Sequence, residues 1–194
     1  METVLLPELI GAMAEPSAAN LADFDAVVQL YRAAIFRYVL ASLRDRDAAE
    51  TLTQDCFLKA YRARGQFRGE ASVKTWLMRI AVNLVRDHLS NARLRFWRRT
   101  QRSCVDPSVA EGWLADRRSS PEAMAHAKQK VAAIWSAVAE LPQGQRTVFL
   151  LRFVEEMDIL EIAAATGLKE GTVKIHLFRS LRSVRAKVAV KESM

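Results

Sequence analysis

The stretch Asp158-Ile159-Leu160-Glu161-Ile162-Ala163-Ala164-Ala165-Thr166-Gly167, continued by Leu168-Lys169-Glu170-Gly171-Thr172-Val173-Lys174-Ile175-His176-Leu177-Phe178-Arg179, reads as two short amphipathic helices meeting at a glycine. Asp158 followed three residues later by Glu161 is an N-cap with a returning carboxylate, which together satisfy orphan N–H groups at a helix start. Gly167 supplies the left-handed turn that lets the chain reverse. In the second helix Val173, Leu177, Leu181, Val184 and Val188 recur with a 3.6-residue period and form one apolar face. Lys174, Ile175, His176, Phe178, Arg179 and Arg182 are left around the outward and flanking surface. From Lys169 to Glu192 there are seven Lys or Arg and two acidic residues. A capped helix, a glycine turn and a second helix with a basic outer face make a helix-turn-helix, whose second helix enters the DNA major groove.

The rest of the chain agrees with an anionic partner. Its formal net charge is +7 over 194 residues, with a pI near 9.8, and 51% of its residues are hydrophobic, enough for real cores. No apolar run approaches the roughly 18 residues of a spanning helix, and Met1 to Pro7 lacks the basic start of a secretory signal. Cys56 and Cys104 form no C-x-x-C, and His88, His126 and His176 offer no zinc ligand set. These features predict a reduced, cytoplasmic, metal-free protein that uses no cofactor. Inert buried thiols are the expected state of the cysteines, with a redox sensor at Cys56 or Cys104 as the alternative.

Seven glycines, five prolines and no alternating β-branched runs predict an all-α fold. Residues 1–20 have weak periodicity and read as a lead-in. A first helical domain spans 21–96. Its first helix carries Val27, Leu30, Tyr31, Ala34, Ile35 and Tyr38 on one stripe. Its second starts near Asp47, the expected N-cap with Glu50 three residues on, and runs to about Arg64. Its third starts near Ser72 and turns Val73, Trp76, Leu77, Ile80, Ala81 and Leu84 inward. Residues 97–120 have no sustained apolar stripe and read as a flexible basic linker. Ser120-Pro121 reads as an N-cap followed by proline at the first helical position, and helices over about 121–139 and 143–154 lead into the helix-turn-helix. The second domain therefore spans 121–190.

The first domain exposes unusual groups. On its second helix Leu52, Cys56 and Ala60 can face the core, whereas Gln54, Asp55, Lys59 and Arg62 face outward beside Phe57 and Leu58. Such a face suits a protein partner, and the pattern allows Phe57 to turn inward equally well. On the third helix Lys74, Arg79, Asn83, Arg86 and Asp87 lie off the apolar stripe, followed by Arg93, Arg95, Arg98, Arg99 and Arg102. Basic groups interleaved with Phe67, Trp76, Phe96 and Trp97 suit a single strand, whose phosphates are neutralised while its bases stack. Trp76 sits on the apolar stripe, which favours core packing for it. Two other functions fit parts of the pattern. A ligand-sensing helix-turn-helix regulator would bind paired half-sites about one helical turn apart, and an enzyme acting on DNA would need a metal cluster or a paired histidine that the sequence does not present.

The run Leu52-Thr53-Gln54-Asp55-Cys56-Phe57-Leu58-Lys59-Ala60-Tyr61-Arg62 resembles the polymerase-binding segment of the extracytoplasmic-function (ECF) sigma factors, the small two-domain sigma factors of bacterial RNA polymerase. Phe67-Arg68-Gly69 with Thr75-Trp76-Leu77-Met78-Arg79-Ile80-Ala81-Val82-Asn83 resembles their promoter-melting element. Leu141-Pro142-Gln143-Gly144-Gln145-Arg146, together with Glu161-Ile162-Ala163 and Gly171-Thr172-Val173-Lys174, is similar to their C-terminal domain. The likeness covers about 22–96 and 123–188. It implies a sigma region 2 bundle and a sigma region 4 helix-turn-helix in a non-catalytic protein that directs promoter-specific initiation. It further implies core polymerase docking through Leu52, Gln54, Asp55, Phe57 and Leu58. A base flipped from the −10 element would be captured around Phe67, Ser72, Lys74, Arg79, Asn83 and Arg86. Thr172, Lys174, Ile175, His176, Phe178 and Arg179 would read the −35 element. The implied partners are the bacterial RNA polymerase core, promoter DNA and a membrane-anchored anti-sigma factor that could hold the chain at the inner membrane face. Thr51 stands where an acidic residue is common, Asp158 replaces a serine with equivalent capping chemistry, and Lys169 takes the place of a small hydroxyl cap. His176 often corresponds to arginine, which reads guanine or phosphate more strongly than a neutral imidazole.

Overall fold

A computed structural model describes residue 21 and residues 23–96 and 121–192 of the 194-residue chain. The expected lead-in over 1–20, the linker over 97–120, Cys104, the Ser120 cap and the basic and aromatic side chains from Arg93 to Arg102 lie outside the described residues or side chains. Among the described residues the elements are α-helices joined by turns: α1 (Phe24–Leu43), α2 (Arg46–Ala63), α3 (Val73–Phe96), α4 (Pro121–Ala139), α5 (Gln143–Phe153), α6 (Ile159–Thr166) and α7 (Glu170–Glu192). A 3₁₀ turn at Arg64–Gln66 closes α2.

Each helix of the first domain starts at an oxygen-bearing side chain. Asp23 accepts from the Ala26 amide at 3.1 Å, and Asp45 from the Ala48 amide at 3.0 Å. Ser72 accepts from the Thr75 amide at 3.1 Å. The cap of α2 is therefore Asp45 and not Asp47, which lies in the first turn as an acidic residue favourable to the helix dipole. The shift has a local cause. α1 ends with Arg44 in the left-handed region at φ 58°, its amide bonded to the Leu40 carbonyl at 2.8 Å, so the chain is ready to re-enter a helix immediately.

The three helices pack on one another around Val27, Tyr31, Ile35, Tyr38, Cys56, Val73, Leu77, Met78 and Ala81, all buried. Leu30, expected on the inward stripe of α1, is instead 44% exposed. α1 is also long and apolar enough to cross a membrane by length and composition, against the expectation that no segment would be. Its stripe is packed on α2 and α3, as in a core helix, and Arg32 and Arg37 interrupt its outer face. Cys56 lies at the centre of the bundle, fully buried, with its Sγ donating to the Leu77 carbonyl at 3.6 Å. Burial pushes its thiol up to about 12, against the weaker pull of Lys59. The thiolate is the reactive form, so Cys56 should resist iodoacetamide in the native chain at mildly alkaline pH and alkylate readily in urea. Mass spectrometry of the Cys56 peptide reads this, and rapid native alkylation would contradict it.

In the second domain α4, α5 and α6 pack against α7. Arg146 at the start of α5 donates to the carbonyls of Ala139 at 2.6 Å and Leu141 at 3.1 Å, tying α5 to the end of α4. The capping box read from the sequence is present. Glu161 N–H donates to Asp158 Oδ1 at 2.8 Å, and Asp158 N–H donates to Glu161 Oε2 at 2.9 Å. Gly167 takes φ 73° and closes α6, where a side chain would be strained.

Candidate nucleic-acid interface

α7 presents a stripe along its outer face. Val173, Ser180 and Val184 are buried against the domain, with Leu177, Leu181 and Val188 packed at the margin. Lys174, Ile175, Phe178, Arg179, Arg182 and Arg185 are exposed, at spacings that keep them on one side of the helix. Phe178 is 66% and Ile175 51% exposed, so two large apolar groups stand among four cations. The major groove offers such a face phosphates along its rims for the cations and thymine methyls on its floor for the apolar groups. Arg185 continues the stripe one turn beyond the residues selected from the sequence, and its spacing of eleven from Lys174 was the available signal. Thr172 is half-buried beside the stripe. His176 departs from the sequence reading. Its ring turns toward α5, with Cε1 3.6 Å from where a Cβ on Gly144 would stand and a buried Nδ1 that has no protein partner. It lies at the flank and not among the exposed readers.

In the first domain Phe67, Ser72 and Lys74 gather at the start of α3. Arg79, Asn83 and Arg86 follow along the helix. Phe67 packs on Trp76, ring centroids 5.1 Å apart, and both rings are half-buried against the core. Arg79 and Arg86 are exposed, and Arg86 donates to Asn83 Oδ1 at 2.7 Å. The Ser72 hydroxyl is already engaged as the α3 cap and also lies 3.0 Å from the Thr75 hydroxyl. On α2 the side chains Gln54, Asp55 and Leu58 are exposed, Leu58 to 47%, with Lys59, Tyr61 and Arg62 beside them. Leu52 and Phe57 are buried instead. Phe57 turns inward because α1 offers Phe24 an edge-on contact with it at 6.4 Å. The sequence pattern already allowed Leu52 to face the core and left the direction of Phe57 open; the structure buries both, against the docking contacts that the resemblance implied for them, and leaves Gln54, Asp55 and Leu58 as the exposed residues of that set.

Residues 27–95, α1 through nearly all of α3, match the family Sigma-70 region 2. Residues 132–184, from within α4 through most of α7, match Sigma-70, region 4. The RNA polymerase sigma-H factor of Pseudomonas aeruginosa is 32% identical over 165 residues, covering 83% of each chain. The ECF RNA polymerase sigma-E factor of Escherichia coli K12 is 33% identical over 141 residues, covering 71% of this chain and 72% of that one. The chain belongs to the ECF sigma factors. A solved structure of the sigma factor RpoE with the anti-sigma factor NepR from Bartonella quintana shares its fold, with a TM-score of 0.64 at 20% identity over 87% of this chain and 98% of that one. The structure of CnrH with the cytosolic domain of CnrY does so at 0.62 and 21% over 89% and 92%.

This sigma factor has one further feature of its second domain that the sequence reading passed over. α4 and α5 enclose an apolar hollow of about 160 Å³ lined by Val131, Ile134, Trp135, Val138, Phe149, Phe153 and Val154. Ile134 and Phe153 stand open at its rim. Their i, i+3 and i+4 spacings on two adjacent helices were the legible signal, but either helix alone reads as an ordinary core face.

The two domains of the sigma factor also touch. α6 lies against α3, and α5 against α1. Arg37 Nη2 pairs with Glu155 Oε2 at 3.1 Å, with the Glu155 side chain wholly buried and that of Arg37 half-exposed. Lys74 Nζ donates to the Glu155 carbonyl at 2.7 Å. Burial raises the Glu155 carboxyl above its ordinary range, and the charges of Arg37 and Lys74 oppose that rise.

Proposed function

We propose that this sigma factor initiates transcription by using two separate nucleic-acid faces while docked on core RNA polymerase. Gln54, Asp55 and Leu58 make the polymerase contact on the exposed side of α2. A base extruded from the −10 element is held near Phe67, Ser72, Lys74 and Asn83, with Arg79 and Arg86 on the strand's phosphates. Extrusion costs a few kcal/mol of stacking, which a shaped pocket returns while selecting the base. α7 lies in the major groove at the −35 element, with Lys174, Arg179, Arg182 and Arg185 on phosphates or base edges and Ile175 and Phe178 on apolar base surfaces. The protein contributes no catalytic step; phosphodiester chemistry belongs to the polymerase, in the cytoplasm.

The observation that carries this reading is the exposed stripe of α7. Two of its large apolar groups face outward on a helix whose opposite side already fills the core. An anti-sigma factor, membrane-anchored in this reading, holds the chain inactive; support comes from the solved relatives that carry anti-sigma partners and from the open apolar hollow of α4 and α5.

Run-off transcription with core polymerase on a promoter library, with start sites sequenced, tests the reading. Promoter-dependent transcripts sharing −10 and −35 motifs are expected only when both proteins are present. The isolated chain should leave duplex DNA essentially unprotected in footprinting, because Lys169 cannot cap α7 and His176 is turned from the groove. Strong, half-site-paired protection by the chain alone would favour a conventional repressor instead.

A further inference from the structure

The hollow between α4 and α5 has the shape of a short groove. Its α4 wall, Val131, Ile134, Trp135 and Val138, follows i, i+3, i+4 and i+7 spacing and extends about 10 Å along the helix. Phe149 and Phe153 form the α5 wall, their ring centroids 4.7 Å apart. Ile134 and Phe153 stand exposed at the rim. An exposed apolar groove of this kind suits a docking partner, and two turns of length fit one short amphipathic helix laid along it. Each wall also carries an exposed cation beside its lining: Lys130 precedes Val131, and Arg152 precedes Phe153.

The chain holds a segment of matching chemistry ahead of Leu21. Within the weakly periodic lead-in one short stretch is regular: Leu6, Leu9, Ile10 and Met13 repeat the i, i+3, i+4 and i+7 spacing of the α4 wall. Pro7 follows Leu6, where the first turn of a helix tolerates proline. Residues 1–20 contain Glu2, Glu8 and Glu15 and neither lysine nor arginine, in a chain of net charge +7. We propose that residues 6–13 dock as an amphipathic helix in the hollow of the same chain, with Leu6, Leu9, Ile10 and Met13 on the apolar walls and the acidic side toward Lys130 and Arg152. So short a helix is marginal alone in water, so the stretch needs a groove to order it. The tether is long enough. Met13 lies eight positions before Leu21, an extended reach of about 26 Å. Arg37, paired with Glu155 next to the lining residue Val154, is about 20 Å along α1 from Phe24. Tethering gives the segment a high effective concentration at the hollow. Any protein that takes the hollow must first displace it.

Proteolysis of the full chain after Glu8, which lies inside the docked stretch, tests this. A glutamate-specific protease is used, and the rate is divided by that of a synthetic peptide of residues 1–20 with the same sequence. The wild-type chain should be cut on the order of tenfold more slowly than the peptide, because cleavage follows the undocked population. Leu6→Ser with Ile10→Ser should bring the ratio close to one, and so should Phe153→Ser or Ile134→Ser at the rim. Circular dichroism and a melting curve check that the rim variants stay folded. A wild-type Glu8 bond cut as fast as the peptide overturns the proposal without any variant. Two folded rim variants that both keep full protection overturn it as well, by placing the segment elsewhere. Light scattering across a dilution series separates the remaining occupant: protection that disappears on dilution together with a dimer would assign the hollow to the segment of a second copy, against docking within one chain. None of these readouts involves transcription, so the outcome is independent of the sigma reading.

Discussion

Replacing Lys174 and Arg179 together by alanine is expected to lower transcription from promoters selected by the wild-type protein by roughly a hundredfold, since a good side-chain contact to a base edge is worth about 1–3 kcal/mol. Both side chains are exposed on α7, so neither contributes core packing, and surface changes of this kind leave stability within about 0.5 kcal/mol. The thermal transition should therefore stay in place while transcription falls. Their removal also takes away two cations, so the residual activity should depend less steeply on salt than that of the wild type. Run-off transcription at several salt concentrations, beside a melting curve, measures both. A double variant that melts normally and transcribes at the wild-type rate would remove α7 from the −35 contact. Lys169 offers an internal comparison: it is equally exposed and equally basic but precedes the stripe, and its alanine variant should lose much less.

Leu77→Ala is expected to be the most damaging single change to the fold, costing about 3–5 kcal/mol. Leu77 is fully buried where α3 meets α1 and α2, and its carbonyl accepts from the Cys56 thiol. Loss of its side chain leaves a cavity that cannot easily collapse, because Cys56, Ala60 and Ala81 around the bundle are already small and fully buried. A small domain has only about 5–15 kcal/mol in total, so the first domain should lose a large share of its stability and its unfolded population should rise by about a hundredfold or more. Urea unfolding measures the shift in midpoint. The same experiment carries its own check through Cys56, whose thiol should become alkylatable in Leu77→Ala without denaturant. An unchanged midpoint would mean that the bundle repacks around the gap.

The features legible in the sequence were those governed by neighbours a few residues apart. The Asp158–Glu161 box, the Gly167 turn and the apolar faces of α3 and α7 each depend on one or two turns of helix, where chain connectivity already fixes geometry. The cap of α2 was displaced by two residues because Asp45 and Asp47 can both accept a backbone bond. The choice between them came from the end of α1, where Arg44 turns the chain. Phe57 and His176 sat at the borders of their apolar stripes, where a 3.6-residue period leaves the direction open. Phe57 was drawn inward by the edge of Phe24, and His176 by the room above Gly144. In both cases the deciding neighbour lies on another helix more than thirty residues away in sequence.

From the amino-acid order alone come the all-α class, the helix-turn-helix and the likeness to sigma factors, because period, caps and turn glycines act locally and survive without knowledge of the partner helix. The burial of Phe57, the apolar hollow between α4 and α5 and the covering of Lys74 by Glu155 come from packing. Arg37 and Glu155 are separated by 118 positions, and no spacing rule links residues so far apart. Their meeting depends on how two finished domains fit together, which only contact in three dimensions can settle.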